Sequence, residues 1–164
     1  MEKMLITDHT KCTGCRRCEI YCSLTKTGTC NPARSRIRVI KWEEEGINIP
    51  TICLQCQEPL CMMVCPVAAI ERNEETAILS IDAELCIGCK MCLMVCPFGA
   101  PFIDPAGDRK VFICDQCLGE PVCVRACPTE ALQYIEADRL GWLQRRAGLK
   151  KLTQVIDRVL PTPP

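Results

Sequence analysis

Sixteen of the seventeen cysteines in this chain fall in four tight runs, and nothing else in the sequence restricts its fold so strongly. Run one holds Cys12, Cys15, Cys18 and Cys22 (CTGCRRCEIYC), and run two holds Cys53, Cys56, Cys61 and Cys65 (CLQCQEPLCMMVCP). Run three holds Cys86, Cys89, Cys92 and Cys96 (CIGCKMCLMVCP), and run four holds Cys114, Cys117, Cys123 and Cys127 (CDQCLGEPVCVRACP). Runs one and three share CxGCxxCxxxC; runs two and four share a stretched form, QC, then EP, with the third cysteine displaced. Such alternation reads as the duplication of a two-run unit. Cys30 stands outside the runs.

So many thiols in 164 residues mean a disulfide scaffold or a metal protein. The N-terminal stretch MEKMLITDHTKCTGC has no apolar segment of signal length, no twin arginine and no small-residue cleavage site. Nothing elsewhere reaches the roughly 18 consecutive apolar residues of a membrane span. The expectation is a cytoplasmic protein, whose thiols stay reduced and whose clustered cysteines hold metal. Twenty basic residues balance twenty acidic ones, so no basic excess recommends a nucleic-acid partner. Ligated thiols would be thiolates and would make the loaded chain more acidic than this count. With only three Phe, two Trp and two Tyr, large side chains alone do not fill the middle.

In C-x-x-C-x-x-C a short loop can wrap three thiolates around one object. The cysteine three residues further on lies on the next helical turn and points elsewhere; in two-cluster ferredoxins it ligates the neighbouring cluster, and a proline then redirects the chain. Four such runs fit four [4Fe–4S] clusters with four thiolates each. Structural zinc prefers two separated CxxC pairs, or cysteine with histidine, whereas His9, the one histidine, lies outside every run. Spacing alone leaves open whether runs pair one with two and three with four, or in a nested order.

Residues 53–97 resemble a complete bacterial two-cluster ferredoxin with one stretched run. Over roughly residues 5–136 the chain resembles the four-cluster ferredoxin-type electron-transfer subunits of multisubunit oxidoreductases. These accompany molybdenum- or tungsten-pterin enzymes, hydrogenases and carbon monoxide dehydrogenase. The segment Glu58, Pro59, Leu60, Cys61 is typical of them, and CTGCRRCEIYCSLTKTG is most similar to the polyferredoxin subunit of tungsten aldehyde oxidoreductases. Ser23, where the other runs have proline, departs from the pattern and leaves the cysteines intact.

The resemblance implies an α+β, ferredoxin-like fold of two nested two-cluster modules with short helices and β-hairpins. Residues 1–136 would form that domain, with an inner module at 53–97 and an outer one from 5–30 and 110–136. It implies nested ligation. Cys12, Cys15, Cys18 and Cys127 would hold one cluster, and Cys114, Cys117, Cys123 and Cys22 a second. Cys53, Cys56, Cys61 and Cys96 would hold a third, and Cys86, Cys89, Cys92 and Cys65 a fourth. No nucleophile–base constellation, phosphate loop or pterin, flavin or nicotinamide motif is visible, so the chain would not be an enzyme by itself. Its chemistry would be that of its clusters. The implied function is electron relay between a catalytic oxidoreductase subunit, tungsten- or molybdenum-pterin in kind, and a second redox partner. A hydrogenase or carbon monoxide dehydrogenase subunit, a free polyferredoxin and a redox-inert zinc scaffold are the alternatives.

Other segments carry smaller expectations. MMV and LMV in runs two and three, against EIY and VRA in runs one and four, suggest a dry middle pair of sites and a wetter outer pair. Arg16, Arg17 and Arg125 would favour reduced outer clusters. SRIRVIKWEEEGINIPTI (35–52) reads as a hairpin turning at Glu45-Gly46 and covering a cluster, with Trp42 in its packing. PVAAIERNEETAILSI reads as a short helix, a polar turn and a strand. Cys30 reads as a free thiol and His9 as a surface residue. Residues 137–164 carry apolar positions near helical spacing with interspersed Arg and Lys, a helical tail from about Ala137 to Leu160. It would pack on its own domain, grip a partner subunit or rest on a membrane surface.

Overall fold

The computed structural model describes residues 3–105, 109–139 and 141. The chain divides into a compact unit, Leu5–Tyr134, and a second made of Met1–Met4 and Ile135–Pro164. In the second unit Ala137–Arg139 and Gly141 are helical. The remainder of the tail expected to be helical lies outside the described residues.

The larger unit is α+β, built from short pieces, as ferredoxin-like folds are. Among the described residues of the chain the strands form four separate two-stranded sheets: β1 (Lys3–Thr7) with β8 (Leu132–Glu136), β2 (Arg38–Trp42) with β3 (Ile47–Thr51), β4 (Ile70–Arg72) with β5 (Leu79–Ile81), and β6 (Phe102–Ile103) with β7 (Val111–Phe112). The last three pairs are antiparallel. In β2–β3, Ile40 faces Ile49, and the connection closes through Gly46 at φ 68.

Helix lengths follow from one residue. Three runs end in Cys-Pro, and their helices are short: α2 (Leu60–Met63), α3 (Met91–Val95) and α4 (Val122–Ala126). Proline removes a helical donor and pushes the residue before it out of the α region. Cys96 (φ −74, ψ 114) and Cys127 (φ −82, ψ 109) are extended accordingly. Two residues beyond each of these prolines the chain turns through a left-handed residue, Ala68 (φ 49), Gly99 (φ 58) or Glu130 (φ 53). In run one Ser23 replaces proline, and α1 runs on from Arg17 to Thr27, 11 residues, before stopping at Gly28 in the left-handed region. Ser23 is fully buried; its hydroxyl donates to the Ile20 carbonyl (2.9 Å) and accepts from the Asn31 N–H (3.2 Å).

Proline also corrects one expectation. PVAAIER does not begin with a helix: Pro66 and left-handed Ala68 make a turn, and Ile70–Arg72 is strand β4.

The interior contains few large side chains. Ile37, Leu79, Val111 and Leu132 are fully enclosed, and Cys18, Cys22, Cys53, Cys92, Cys114 and Cys123 are buried with them in one cluster. Trp42 is 47% exposed and lies on the outer face of its hairpin, so it does not supply the packing expected of it. Buried charge is confined to tethers: Arg34 Nε donates to both oxygens of buried Asp104 at 2.9 Å, and its NH2 nitrogen donates to Asp104 Oδ2 at 2.6 Å.

Candidate iron–sulfur centres

The cysteine loops share one backbone device. The residue before the second cysteine is left-handed in every run: Gly14 (φ 67), Gln55 (φ 53), Gly88 (φ 68) and Gln116 (φ 48). This turn curls the loop so that successive thiols face one side. At Gly88 the close approach is also steric, since a Cβ there would meet the Arg109 carbonyl oxygen at 2.8 Å. The N-caps of α1 and α3, Arg16 (φ 58) and Lys90 (φ 68), are left-handed too.

Four gatherings of four thiols result. Cys53, Cys56, Cys61 and Cys96 line one cavity of about 190 Å3, with Leu54, Leu60 and Phe98 at its walls. Cys65, Cys86, Cys89 and Cys92 line a smaller one of about 20 Å3. Cys12, Cys15, Cys18 and Cys127 line another of about 20 Å3, which Val39 of β2 and Pro50 of β3 cover. Cys22, Cys114, Cys117 and Cys123 make a fourth neighbourhood, with Cys114 within electrostatic reach of Cys22, and Cys123 within reach of Cys114, Cys22 and Cys117. Each gathering takes its fourth cysteine from another run.

The gatherings also have an order. Cys123 feels Cys18, Cys114 feels Cys53, and Cys92 feels Cys61. The sequence is therefore the Cys12 site, the Cys114 site, the Cys53 site and the Cys86 site. Charge acts on such neighbours only at short range in this setting.

Burial disfavours the charged form of several of these thiols. It pushes Cys18 and Cys114 up to about 12, and Cys53 and Cys92 up to about 11. Cys61 and Cys123 are raised as well, again mainly by burial. Cys127 is the exception: burial raises it, but the Thr129 hydroxyl and the N–H groups of Leu132, Thr129 and Ala131 outweigh that and hold it low. Several last cysteines have donors aimed at sulfur. Arg36 N–H reaches Cys22 Sγ at 3.3 Å, Ala69 N–H reaches Cys65 Sγ at 3.3 Å, and Thr129 Oγ1 lies 3.7 Å from Cys127 Sγ. Such bonds stabilise thiolate and tune whatever the thiolate binds.

Around the Cys53 cavity the donor set fits an iron–sulfur cube better than one ion. Four thiolates 2.3 Å from zinc sit about 3.8 Å from each other. Among the described residues no three Cys, His, Asp or Glu side chains converge to hold a single ion, whereas the thiols around the Cys53 cavity enclose a volume larger than any ion needs. His9 and Cys30 are exposed and line none of these cavities.

The contrast expected between dry middle sites and wet outer ones does not hold: the Cys12 site has one buried thiol and an exposed Cys15, as open as the middle pair, while the Cys114 site is the driest. Three of the four thiols of the Cys114 site are buried, against one each in the Cys53 and Cys86 sites. The methionines of MMV and LMV face outward, Met63 74% and Met94 87% exposed, while Leu93 packs against the core. From EIY it is Glu19 that turns inward. Its carboxylate accepts from the Val39 N–H (2.8 Å) and from Arg16 Nε (2.6 Å), so the Arg16 charge expected to act on a cluster is already matched. Arg17 lines the Cys12 cavity, and Arg125 is exposed.

Sequence reasoning passed over two site residues. Asp115 joins Lys26 (2.8 Å), Arg36 (2.7 Å) and the Cys117 N–H (3.1 Å) beside the Cys114 site. Gln55 donates to the Cys114 carbonyl and accepts from the Leu79 N–H, each at 2.6 Å. The QC shared by runs two and four was the available signal for the second. Its counterpart Gln116 is 4% exposed, and its Oε1 is buried without a hydrogen-bond partner.

Residues 45–137 match the 4Fe-4S dicluster domain family, and the chain belongs to it. It is a [4Fe–4S] protein of ferredoxin type. The polyferredoxin-like subunit of an aliphatic sulfonate oxidoreductase from Pyrococcus furiosus is 44% identical over 79 residues, 48% of this chain and 45% of that protein. The electron transport protein HydN of Escherichia coli is 37% identical over 99 residues, 55% of this chain and 53% of that one. The chain thus spans about half the length of the curated relatives it matches. The benzoyl coenzyme A reductase active-site complex BamBC, solved with zinc, has a chain 27% identical with TM-score 0.49, covering 96% of both. Among the described residues no helix is long and apolar enough to cross a membrane.

Proposed function

We propose that this chain relays single electrons through four [4Fe–4S] clusters, as the non-catalytic iron–sulfur subunit of a multisubunit oxidoreductase. The observation that carries the reading is the ordered series of four gatherings, each of four thiols. Cys12, Cys15, Cys18 and Cys127 would hold the first cluster, and Cys22, Cys114, Cys117 and Cys123 the second. Cys53, Cys56, Cys61 and Cys96 would hold the third, and Cys65, Cys86, Cys89 and Cys92 the fourth. The clusters would supply reversible one-electron chemistry. The chain's own residues hold them in series, exclude water from the buried thiols and aim N–H groups at sulfur. A catalytic subunit at one end and a second redox partner at the other complete the relay. The tungsten- or molybdenum-pterin aldehyde oxidoreductases are the partner class that the run-one resemblance favours. The oxidoreductase named for the Pyrococcus furiosus relative supports a subunit role.

The native protein, purified without oxygen, should carry about sixteen iron and sixteen acid-labile sulfide per chain and co-elute with a larger redox subunit. Absence of iron and sulfide overturns the relay. A fully loaded chain eluting alone overturns the subunit role and leaves a diffusing carrier.

A further inference from the structure

We infer that Gln55 is a positioning residue that fixes the Cys53 site against the Cys114 site, the central junction of the series. This rests on the proposed four-cluster reading. Its first ground is an oddity of backbone. The place before the second cysteine must be left-handed, and runs one and three fill it with glycine, which takes φ > 0 without strain. Runs two and four instead hold glutamines, Gln55 at φ 53 and Gln116 at φ 48. A side chain kept at a strained position calls for a compensating role.

The contacts supply that role. One end of the Gln55 amide donates to the Cys114 carbonyl, in run four. The other accepts from the Leu79 N–H in β5, in the hairpin between runs two and three. One planar side chain thus spans the inner hairpin, the run-two loop and the run-four loop. Both bonds are 2.6 Å and partly buried, where a hydrogen bond is stronger than in water. Coupling between redox sites depends on how the protein positions them, and here a single amide crosses the gap.

The test uses the cluster-loaded chain and two variants. Gln55→Gly removes both bonds and adopts the residue that runs one and three already carry. Gln55→Met keeps the length and removes the polar atoms. Iron and sulfide content is measured first, and its failure in the unaltered chain sinks the four-cluster reading rather than this one. With content equal to the unaltered chain, both variants should lose part of the spin–spin splitting in the electron paramagnetic resonance of the fully reduced protein. Deuterium exchange in residues 78–81 should speed up at least several-fold. Splitting and exchange that match the unaltered chain overturn the inference. So does loss of iron from both variants, because Gln55 would then serve assembly and not spacing. If one variant alone loses iron, the other decides by the same two measurements.

Discussion

Asp115 stands where three segments meet: the end of α1 through Lys26, the approach to β2 through Arg36, and the run-four loop through its bond from the Cys117 N–H. Burial works against its charge, but Lys26, Arg36 and the Cys117 N–H together hold the carboxyl below its usual range. A carboxyl lowered on folding stabilises above its unfolded value of about 3.9, and that contribution fades as pH falls through the lower folded value. Asp115→Asn should therefore cost on the order of 1 kcal/mol, since water still screens the pairs. In thermal melts the deficit should be constant between about pH 8 and 5 and close below about pH 4; a deficit that grows with acid would contradict this. At this scale the sequence was readable for thiols and poorly readable for their helpers. Cysteine spacing advertises itself, whereas Asp115, Gln55 and Glu19 owe their roles to partners 89, 59 and 20 positions away. Arg16 shows the same limit, because only the structure reveals that Glu19 answers its charge.

Among the elements, α1 carries Ser23 where the other cysteine-bearing helices are followed by proline. Placing proline there should end the helix early, as it ends in the other three runs, and pull Lys26 away from Asp115. Ser23→Pro removes an interior helical hydrogen bond and clashes with the preceding turn, a cost of about 3 kcal/mol or more. A fall in melting temperature for the loaded chain, with reduced helical ellipticity, is the expected result; an unchanged melt would mean that the last turn of α1 contributes nothing. The hairpin at 38–51 was legible because alternation and Glu45-Gly46 are local signals. The supposed helix after run two was not, because Pro66 and the left-handed Ala68 override the helix-forming residues around them. Trp42 and the methionines misled for a related reason: apolar character says that a side chain can be buried, and topology decides whether it is.

Across the whole molecule the proposed interleaving of runs is the property that matters, since it would make each thiol loop depend on a distant one. Cys96→Ser distinguishes the nested arrangement from the sequential one. In the nested arrangement it should disturb the cluster held by Cys53, Cys56 and Cys61, and leave the one at Cys86, Cys89 and Cys92 with its full set. Redox-monitored spectroscopy should show one centre altered, and Cys61→Ser should alter the same one; different centres in the two variants would refute nesting. The ferredoxin-like class was open to sequence because repeated spacing is one-dimensional information. Which thiols meet across the chain is three-dimensional, and resemblance had to stand in for it. The cysteine-lined interior has a practical consequence. With so few bulky side chains at its centre, the cluster-loaded polypeptide would be a casing around mineral, and its lifespan in a tube would be governed by corrosion. Dissolved oxygen, at temperatures far too mild to melt an ordinary domain, should take this one apart from the inside.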